Sequence, residues 1–329
     1  MPELSLIAAL IGGLVIMALA GNALVSGAVS LAARMGVSPL VAGIFIVGFG
    51  TSAPEMIVSL DAAMSGRSGL ALGNIVGSNI ANVFLVLGLP ALIAPIMAGG
   101  VGERRGLAAV VIAAVAWIGI TAVMPLTPMV GICFLAILIA YSGLTFIQAH
   151  RAVAVGLDPG VTEEEDPHLP LWLALVYVPL GILGLVLGAS LVIEGGVGIA
   201  TFMKVPEEYI GLTLLAVGTS LPEIGAGLVA AMKKQGEVLI GNVLGSNVFN
   251  ILGAGGILSL FGPIRTAPTF QQYDHWALGL ATLVVAVLIL TKARIGRLTG
   301  LLLLLVYAAY VYGLITGLNI TGLFKPAGP

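Results

Sequence analysis

Charge is what this chain has least of. Its 329 residues include 13 Lys and Arg and 15 Asp and Glu, 9% in all. A soluble domain carries about 25% charged residues, so these are too few to cover a water-facing surface. Cysteine occurs once, Cys133, inside an apolar run, which excludes a disulfide framework. A lone cysteine there reads as an inert, buried small residue. The three histidines, His150, His168 and His275, fall at the ends of apolar runs or between them, and each reads as an ordinary interfacial histidine. A sizeable soluble domain is also missing, because the longest polar segment, about 148–170, is only a connector. A net charge of −2 says little about partners; no nucleic acid is expected, and no feature implies a protein partner or a cofactor. What is abundant is apolar surface, 59% of residues. The fold class is therefore an all-α polytopic membrane protein whose surroundings are the lipid bilayer.

A spanning helix needs about 20 mostly apolar residues. Cutting at charged and Gly/Pro-rich points predicts ten spans: about 4–33, 39–64, 70–96, 106–124 and 128–148, then 171–202, 208–232, 238–261, 274–291 and 298–318. The first lacks a basic region ahead of it and an obvious cleavage site, so it reads as a span rather than a removed signal peptide. Loops after odd-numbered spans hold Arg34, Arg104, Arg105, Arg151, Lys233, Lys234, Lys292, Arg294 and Arg297, nine of the thirteen basic residues. The other side holds Arg67, Lys204, Arg265 and Lys325. Basic residues favour the cytoplasm, which places both termini outside it. The acidic run Glu163-Glu164-Glu165-Asp166 lies in the central linker, 149–170. It reads as a solvated connector, since its spacing and lack of a glycine turn do not fit an EF-hand loop.

One motif occurs twice. Gly50-Thr51-Ser52-Ala53-Pro54-Glu55 returns as Gly218-Thr219-Ser220-Leu221-Pro222-Glu223, 168 positions later. Gly73-Asn74-Ile75-Val76-Gly77-Ser78-Asn79 and Gly241-Asn242-Val243-Leu244-Gly245-Ser246-Asn247 share that offset, as do Asn82 and Asn250, and Pro95 and Pro263. The chain is thus two repeats, 1–148 and 171–329. Five spans per repeat is an odd number, so the halves insert with opposite orientation. An inverted repeat of this kind is a secondary-transporter architecture with its site at the midplane.

The repeated residues carry cation chemistry. Proline cannot donate to the residue four back and clashes with its carbonyl, so Pro54 loosens Gly50 and Pro222 loosens Gly218. Freed carbonyls in lipid need a partner, and a bound cation is one. Thr51, Ser52 and Glu55 converge on one helix face, as do Thr219, Ser220 and Glu223. On the following span of each repeat, Ser78 and Asn82, and Ser246 and Asn250, project oxygens from one stripe, while Gly69, Gly73 and Gly77, and Gly241 and Gly245, allow close helix approach. The donors are all oxygen, which suits Na⁺, Ca²⁺, Mg²⁺ or Mn²⁺ and disfavours zinc and copper. Two carboxylates balance one divalent ion, and protons compete for them. A carboxylate at mid-bilayer costs about 2.5–3.5 kcal/mol, so two acids in register are poorly explained by a structural role. Two other acids are not duplicated. Asp61, opposite Val229, reads as a water-facing acid near a helix end. Glu194, opposite Ser26, is a weaker candidate for lining an access route.

On these motifs the chain resembles the cation/calcium exchanger superfamily, and most of all prokaryotic sodium/calcium exchangers. The likeness covers essentially the whole chain and is strongest over about 36–97 and 204–265. It implies a central diamond of Glu55, Asn82, Glu223 and Asn250, flanked by Thr51, Ser52, Ser78, Thr219, Ser220 and Ser246. Backbone carbonyls of Gly48 and Ala216, seven before each glutamate, complete the implied ligand set. Some prokaryotic members carry aspartate where Asn250 stands, and potassium-dependent relatives use aspartates on these spans, so potassium coupling is not expected here. The proton/calcium branch typically shows Gly-Asn-x-x-Glu instead of Gly-Thr-Ser-x-Pro-Glu. The expectation is an antiporter of the prokaryotic inner or plasma membrane exchanging Na⁺ for Ca²⁺, not an enzyme. The alternatives are an exchanger of the same fold coupled to H⁺ or carrying Mg²⁺ or Mn²⁺, and a passive cation channel. Intramembrane catalysis by the paired acids lacks any accompanying catalytic group.

Overall fold

The computed structural model describes residues 2–100, 102–154, 169–204, 216–268 and 270–318. Apolar runs become helices throughout: α1 (Pro2–Met35), α2 (Pro39–Met64), α3 (Ser68–Ile93), α4 (Glu103–Val123) and α5 (Pro128–Ala154) form the first half. The second half holds α6 (Leu171–Phe202), α7 (Leu221–Met232), α8 (Gly236–Leu260), α9 (Phe270–Leu290) and α10 (Arg297–Thr316). Among the described residues nine of these are long and apolar enough to cross a membrane, and α7 is shorter. The first part of the expected seventh span, 205–215, lies outside the described residues, as do Glu163, Glu164, Glu165, Asp166, His168 and Lys325. Helix starts follow proline, which at the first turn gives up only a donor the helix cannot use: Pro39 and Pro222 sit there. Gly36 ends α1 at φ 64°, a conformation glycine adopts without Cβ strain.

Loop contacts establish the sidedness. β1 (Ile96–Met97), after α3, pairs antiparallel with β2 (Arg294–Ile295), after α9. Arg34, in the last turn of α1, donates to the Leu169 carbonyl just before α6. On the opposite face Leu126, after α4, bridges Ile264, after α8. Odd loops therefore share one side and even loops the other, as an inverted duplication requires.

The two longest helices, α1 and α6, pack antiparallel along their length with small residues every seven positions. A Cβ added to Gly13 would lie 2.6 Å from the Gly188 carbonyl oxygen, and one on Gly188 would lie 2.8 Å from that of Gly13. Gly181 approaches Ala20, Gly195 approaches Leu6 and Gly27 approaches Ala174 in the same way. Lipid offers no hydrophobic drive for helix pairing, so this close backbone packing, with its dispersion gain, is what holds the pair.

The most buried helices are α3 and α8, and they carry the repeated Gly-Asn motifs. At the crossing of α2 and α8 the backbones nearly touch: Cβ atoms on Gly43, Gly241 and Gly245 would fall 2.5, 2.4 and 2.4 Å from the carbonyl oxygens of Val238, Leu40 and Ile44. Cys133, expected to be buried, is exposed on α5. In a membrane the surrounding solvent is itself apolar, so a small apolar residue gains nothing by facing inward.

Candidate functional site

The two copies of the proline–glutamate motif adopt different backbones. In α2 the helix continues through Pro54, and the irregularity is a π-turn at Gly43–Gly48, upstream of the expected Gly50. Side-chain hydroxyls take the carbonyls at its end: Thr51 Oγ donates to Val47 O (3.0 Å) and Ser246 Oγ to Gly48 O (3.2 Å). In the second copy the helix breaks. Ala216–Gly218 makes one helical turn, Thr219 and Ser220 form a turn, and α7 starts at Leu221 with Pro222 in its first turn. Glu223 follows in that first turn, where unpaired backbone N–H groups favour a carboxylate.

Thr51, Ser52, Glu55, Ser78, Asn82, Ser220, Glu223, Ser246 and Asn250 are all buried, and Thr219 is half-buried. The Glu55 and Glu223 carboxyl groups are electrostatic neighbours, brought together from opposite halves. Ser52 Oγ donates to Glu223 Oε1 at 3.0 Å, a direct bond across the repeat interface. Its counterpart, Ser220 Oγ, has no protein partner among the described residues. Gly48 joins the group through its carbonyl, and Thr51 and Ser246 through Asn242 Oδ1, to which their hydroxyls lie at 3.3 and 3.4 Å. Asn82 reaches α8 by donating to Asn247 Oδ1 at 3.1 Å. Ser78, Thr219, Ala216 and Asn250 make no direct bond to the other expected residues among the described contacts.

Asn74, Asn242 and Asn247 are the residues the sequence reading passed over. Asn74 Nδ2 donates to the Glu55 carbonyl (3.1 Å) and to Ser59 Oγ (2.9 Å), and Asn242 Nδ2 donates to the Glu223 carbonyl (3.4 Å). These are equivalent bonds in the two repeats, each holding the backbone of a central glutamate. The signal was present: Asn74, Ser78 and Asn82 continue one stripe at four-residue spacing, as do Asn242, Ser246 and Asn250.

Buried polar atoms nearly always find a partner, yet seven oxygens of the expected set have none among the described residues. They are both Glu55 oxygens, Ser78 Oγ, Asn82 Oδ1, Ser220 Oγ, Glu223 Oε2 and Asn250 Oδ1. Such donor-free oxygens suit a hard cation, which takes about 6–8 of them when it is Ca²⁺. Outside this group, Asp61 is exposed and 3.8 Å from Arg67, and Glu194 is exposed on α6. His275 lies near the start of its span, as expected, but is enclosed by neighbouring helices. It is buried one turn inside α9, with Nε2 3.0 Å from Thr121 Oγ.

Inverted five-helix repeats with acids from both halves meeting inside the bundle define a membrane transporter of the secondary, ion-coupled class. The particular family follows from comparison: the chain belongs to the sodium/calcium exchanger protein family, whose model matches residues 5–147 and 173–316. Among curated relatives, the putative antiporter CaxA of Alkalimonas amylolytica is 34% identical over 91% of this chain and 95% of its own length. The sodium/calcium exchanger MaX1 of Methanosarcina acetivorans is 28% identical over 91% of this chain and 95% of its own. A solved structure of the sodium-calcium exchanger NCX_Mj, soaked with zero Na⁺ and Ca²⁺, superposes with a TM-score of 0.78 at 30% identity, covering 94% of this chain and 99% of that one.

Proposed function

We propose that this protein exchanges Na⁺ for Ca²⁺ by alternating access, with both ions competing for oxygens around Glu55 and Glu223. The observation that carries this reading is the set of seven buried oxygens, drawn from both repeats, that have no partner among the described residues. Glu55 and Glu223 supply the charge that balances one Ca²⁺. Asn82, Asn250, Ser78 and Ser220 supply neutral oxygens, and the Gly48 and Ala216 carbonyls complete the set. Thr51, Ser52, Thr219 and Ser246 line it. With asparagine at both 82 and 250 the central charge stays at −2, matched by one divalent ion or by Na⁺ ions in competition. An ion-free site would carry two uncompensated carboxylates through a low-dielectric gate, at about 2.5–3.5 kcal/mol each. That penalty blocks the empty transition and makes movement an exchange. The basic odd loops face the cytoplasm and both termini lie outside it.

The test is radiolabelled Ca²⁺ flux in proteoliposomes driven by a sodium gradient. Glu55→Gln and Glu223→Gln each abolish exchange while the protein remains folded and monodisperse. Wild-type flux in both variants refutes the site. Flux driven by a pH gradient in sodium-free buffer, with no response to sodium, refutes the coupling ion.

A further inference from the structure

A half-open cavity of about 360 Å³ lies where α3 ends and α10 begins, lined by Ile93, Pro95, Arg294, Gly296 and Arg297. The β1–β2 ribbon joins its two walls, with Met97 opposite Arg294 and Ile96 opposite Ile295. Arg297 Nε donates to the Leu92 carbonyl at 3.1 Å. That bond anchors the guanidinium at the rim and leaves its two outer nitrogens without a partner among the described residues. Arg294 makes no side-chain bond or ion pair among them. Both arginines are exposed, as is Lys292 two residues earlier, and no Asp or Glu follows Asp274 in the sequence. Glu103, on the same side, is buried and its Oε2 accepts the Gly99 N–H. The fold does not require these charges. At the repeat-equivalent positions on the opposite face, 168 earlier, stand Met124, Leu126 and Met129, and Leu126 still bridges Ile264. From the cavity α10 runs into the membrane with Leu298, Leu301, Leu302 and Leu305 exposed along it.

We infer that this cavity binds an anionic phospholipid, its phosphate held by Arg294 and Arg297 and its acyl chains lying along the exposed leucines of α10. The planar guanidinium fork matches phosphate oxygens in a way a point charge does not, and basic pockets between spanning helices take anionic headgroups. Ligand cavities begin near about 300 Å³, so this one holds a headgroup while the chains stay in the bilayer. A zwitterionic lipid brings its own cation, which the two arginines and Lys292 repel. Orientation by basic loops accounts for positive charge on this side, but not for two unpaired guanidinium groups sharing one cavity above an apolar stripe. A lipid held here bridges the end of α3, the helix that carries Ser78 and Asn82, to the start of α10. It therefore stabilises the bundle at a place remote from the central site, whatever ions that site takes.

The experiment is native mass spectrometry of the purified, delipidated full-length protein titrated with dioleoylphosphatidylglycerol, dioleoylphosphatidylcholine or inorganic phosphate. The wild type is expected to retain one phosphatidylglycerol per chain under activation that strips phosphatidylcholine, and to melt at a higher temperature with it. Arg294→Gln/Arg297→Gln weakens that lipid at least tenfold. Arg104→Gln/Arg105→Gln removes two exposed charges from the same side at the start of α4 and leaves binding unchanged. Melting temperature and elution profile report folding. Arg294→Gln alone keeps the Arg297–Leu92 bond and still weakens binding several-fold, so it decides the matter if the double variant does not fold. Equal retention of the two lipids overturns the inference, as does phosphatidylglycerol binding unmoved by Arg294→Gln. An equal loss in the Arg104/Arg105 variant also overturns it, by reducing the effect to general surface charge. Inorganic phosphate that displaces the lipid and reproduces its melting shift assigns the cavity to a free anion instead.

Discussion

Replacing Gly245 by alanine tests whether the central site depends on how closely two backbones approach, beyond the identity of its oxygens. A Cβ at Gly245 would lie 2.4 Å from the Ile44 carbonyl oxygen and 2.7 Å from Ile44 Cα. Ordinary contact begins near 3.4 Å, so α8 and α2 must separate by about 1 Å. Both obstructing atoms are backbone, and no rotamer change relieves them. The next residue, Ser246, spans to Gly48 O at 3.2 Å, and Asn242 meets Thr51 Oγ at 3.3 Å. A shift of about 1 Å takes both contacts beyond hydrogen-bond range, whereas a metal site tolerates about 0.2 Å. Overpacking costs about 1–3 kcal/mol, partly offset by about 1 kcal/mol that alanine gains over glycine in a helix. The variant therefore stays folded with a lowered melting temperature, and its Ca²⁺ affinity falls at least tenfold, about 1.4 kcal/mol. Gly119→Ala is the matched control, since a Cβ there meets nothing within 4 Å among the described residues; it keeps wild-type affinity. Calcium titration by calorimetry and thermal melting of both variants decide the matter. Wild-type affinity in Gly245→Ala refutes the claim that helix proximity builds the site.

Asn242→Leu removes the acceptor beside Thr51 and Ser246 and the donor to the Glu223 carbonyl, so Ca²⁺ binding weakens more than tenfold while Glu55 and Glu223 remain; unchanged binding isotherms contradict the positioning role. Asn250→Asp adds a third central carboxylate and steepens the loss of Ca²⁺ affinity as pH falls, because carboxylates must shed protons to bind metal; superimposable pH–affinity curves count against Asn250 as a ligand. Gly188→Leu drives a side chain into Met17 and the Gly13 backbone, which opens the α1–α6 pair and costs several-fold in folded yield, read by fluorescence-detected size exclusion. Tyr310→Phe deletes the hydroxyl that donates to buried Asp274 Oδ1 at 3.0 Å and lowers stability by about 1–3 kcal/mol, visible as a shifted melt.

The ten spans and their inverted arrangement were legible because hydropathy and the offset of 168 both report covalent facts: where apolar residues run, and that one half copies the other. Most boundaries agree within three residues, as at Pro39–Met64 and Leu171–Phe202. That Glu55 and Glu223 would be buried beside hydroxyls from both repeats was legible because acids within apolar helices need a compensating partner. What a single chain does not display is which copy of a motif bends. Pro54 and Pro222 are equivalent in sequence, yet one lies within a continuous helix and the other begins a new one, because their packing partners differ. The enclosure of His275 and the exposure of Cys133 were missed for a related reason. Position along a span was taken for depth in the protein, and lateral facing is settled only by neighbouring helices.

The α1–α6 pair has a property that its glycine spacing alone does not announce. Gly181 is the repeat counterpart of Gly13, and Gly188 that of Ala20. Gly13 meets Gly188 while Ala20 meets Gly181, so the contact is isologous: interchanging the two halves returns the same pairs. Leu6 with Gly195 and Gly27 with Ala174 obey the same rule. If the two halves trade conformations when access passes from one membrane face to the other, most contacts between them must be remade. This seam is invariant under that trade. It needs no barrier of its own, and its two helices can travel through the whole cycle as a single rod.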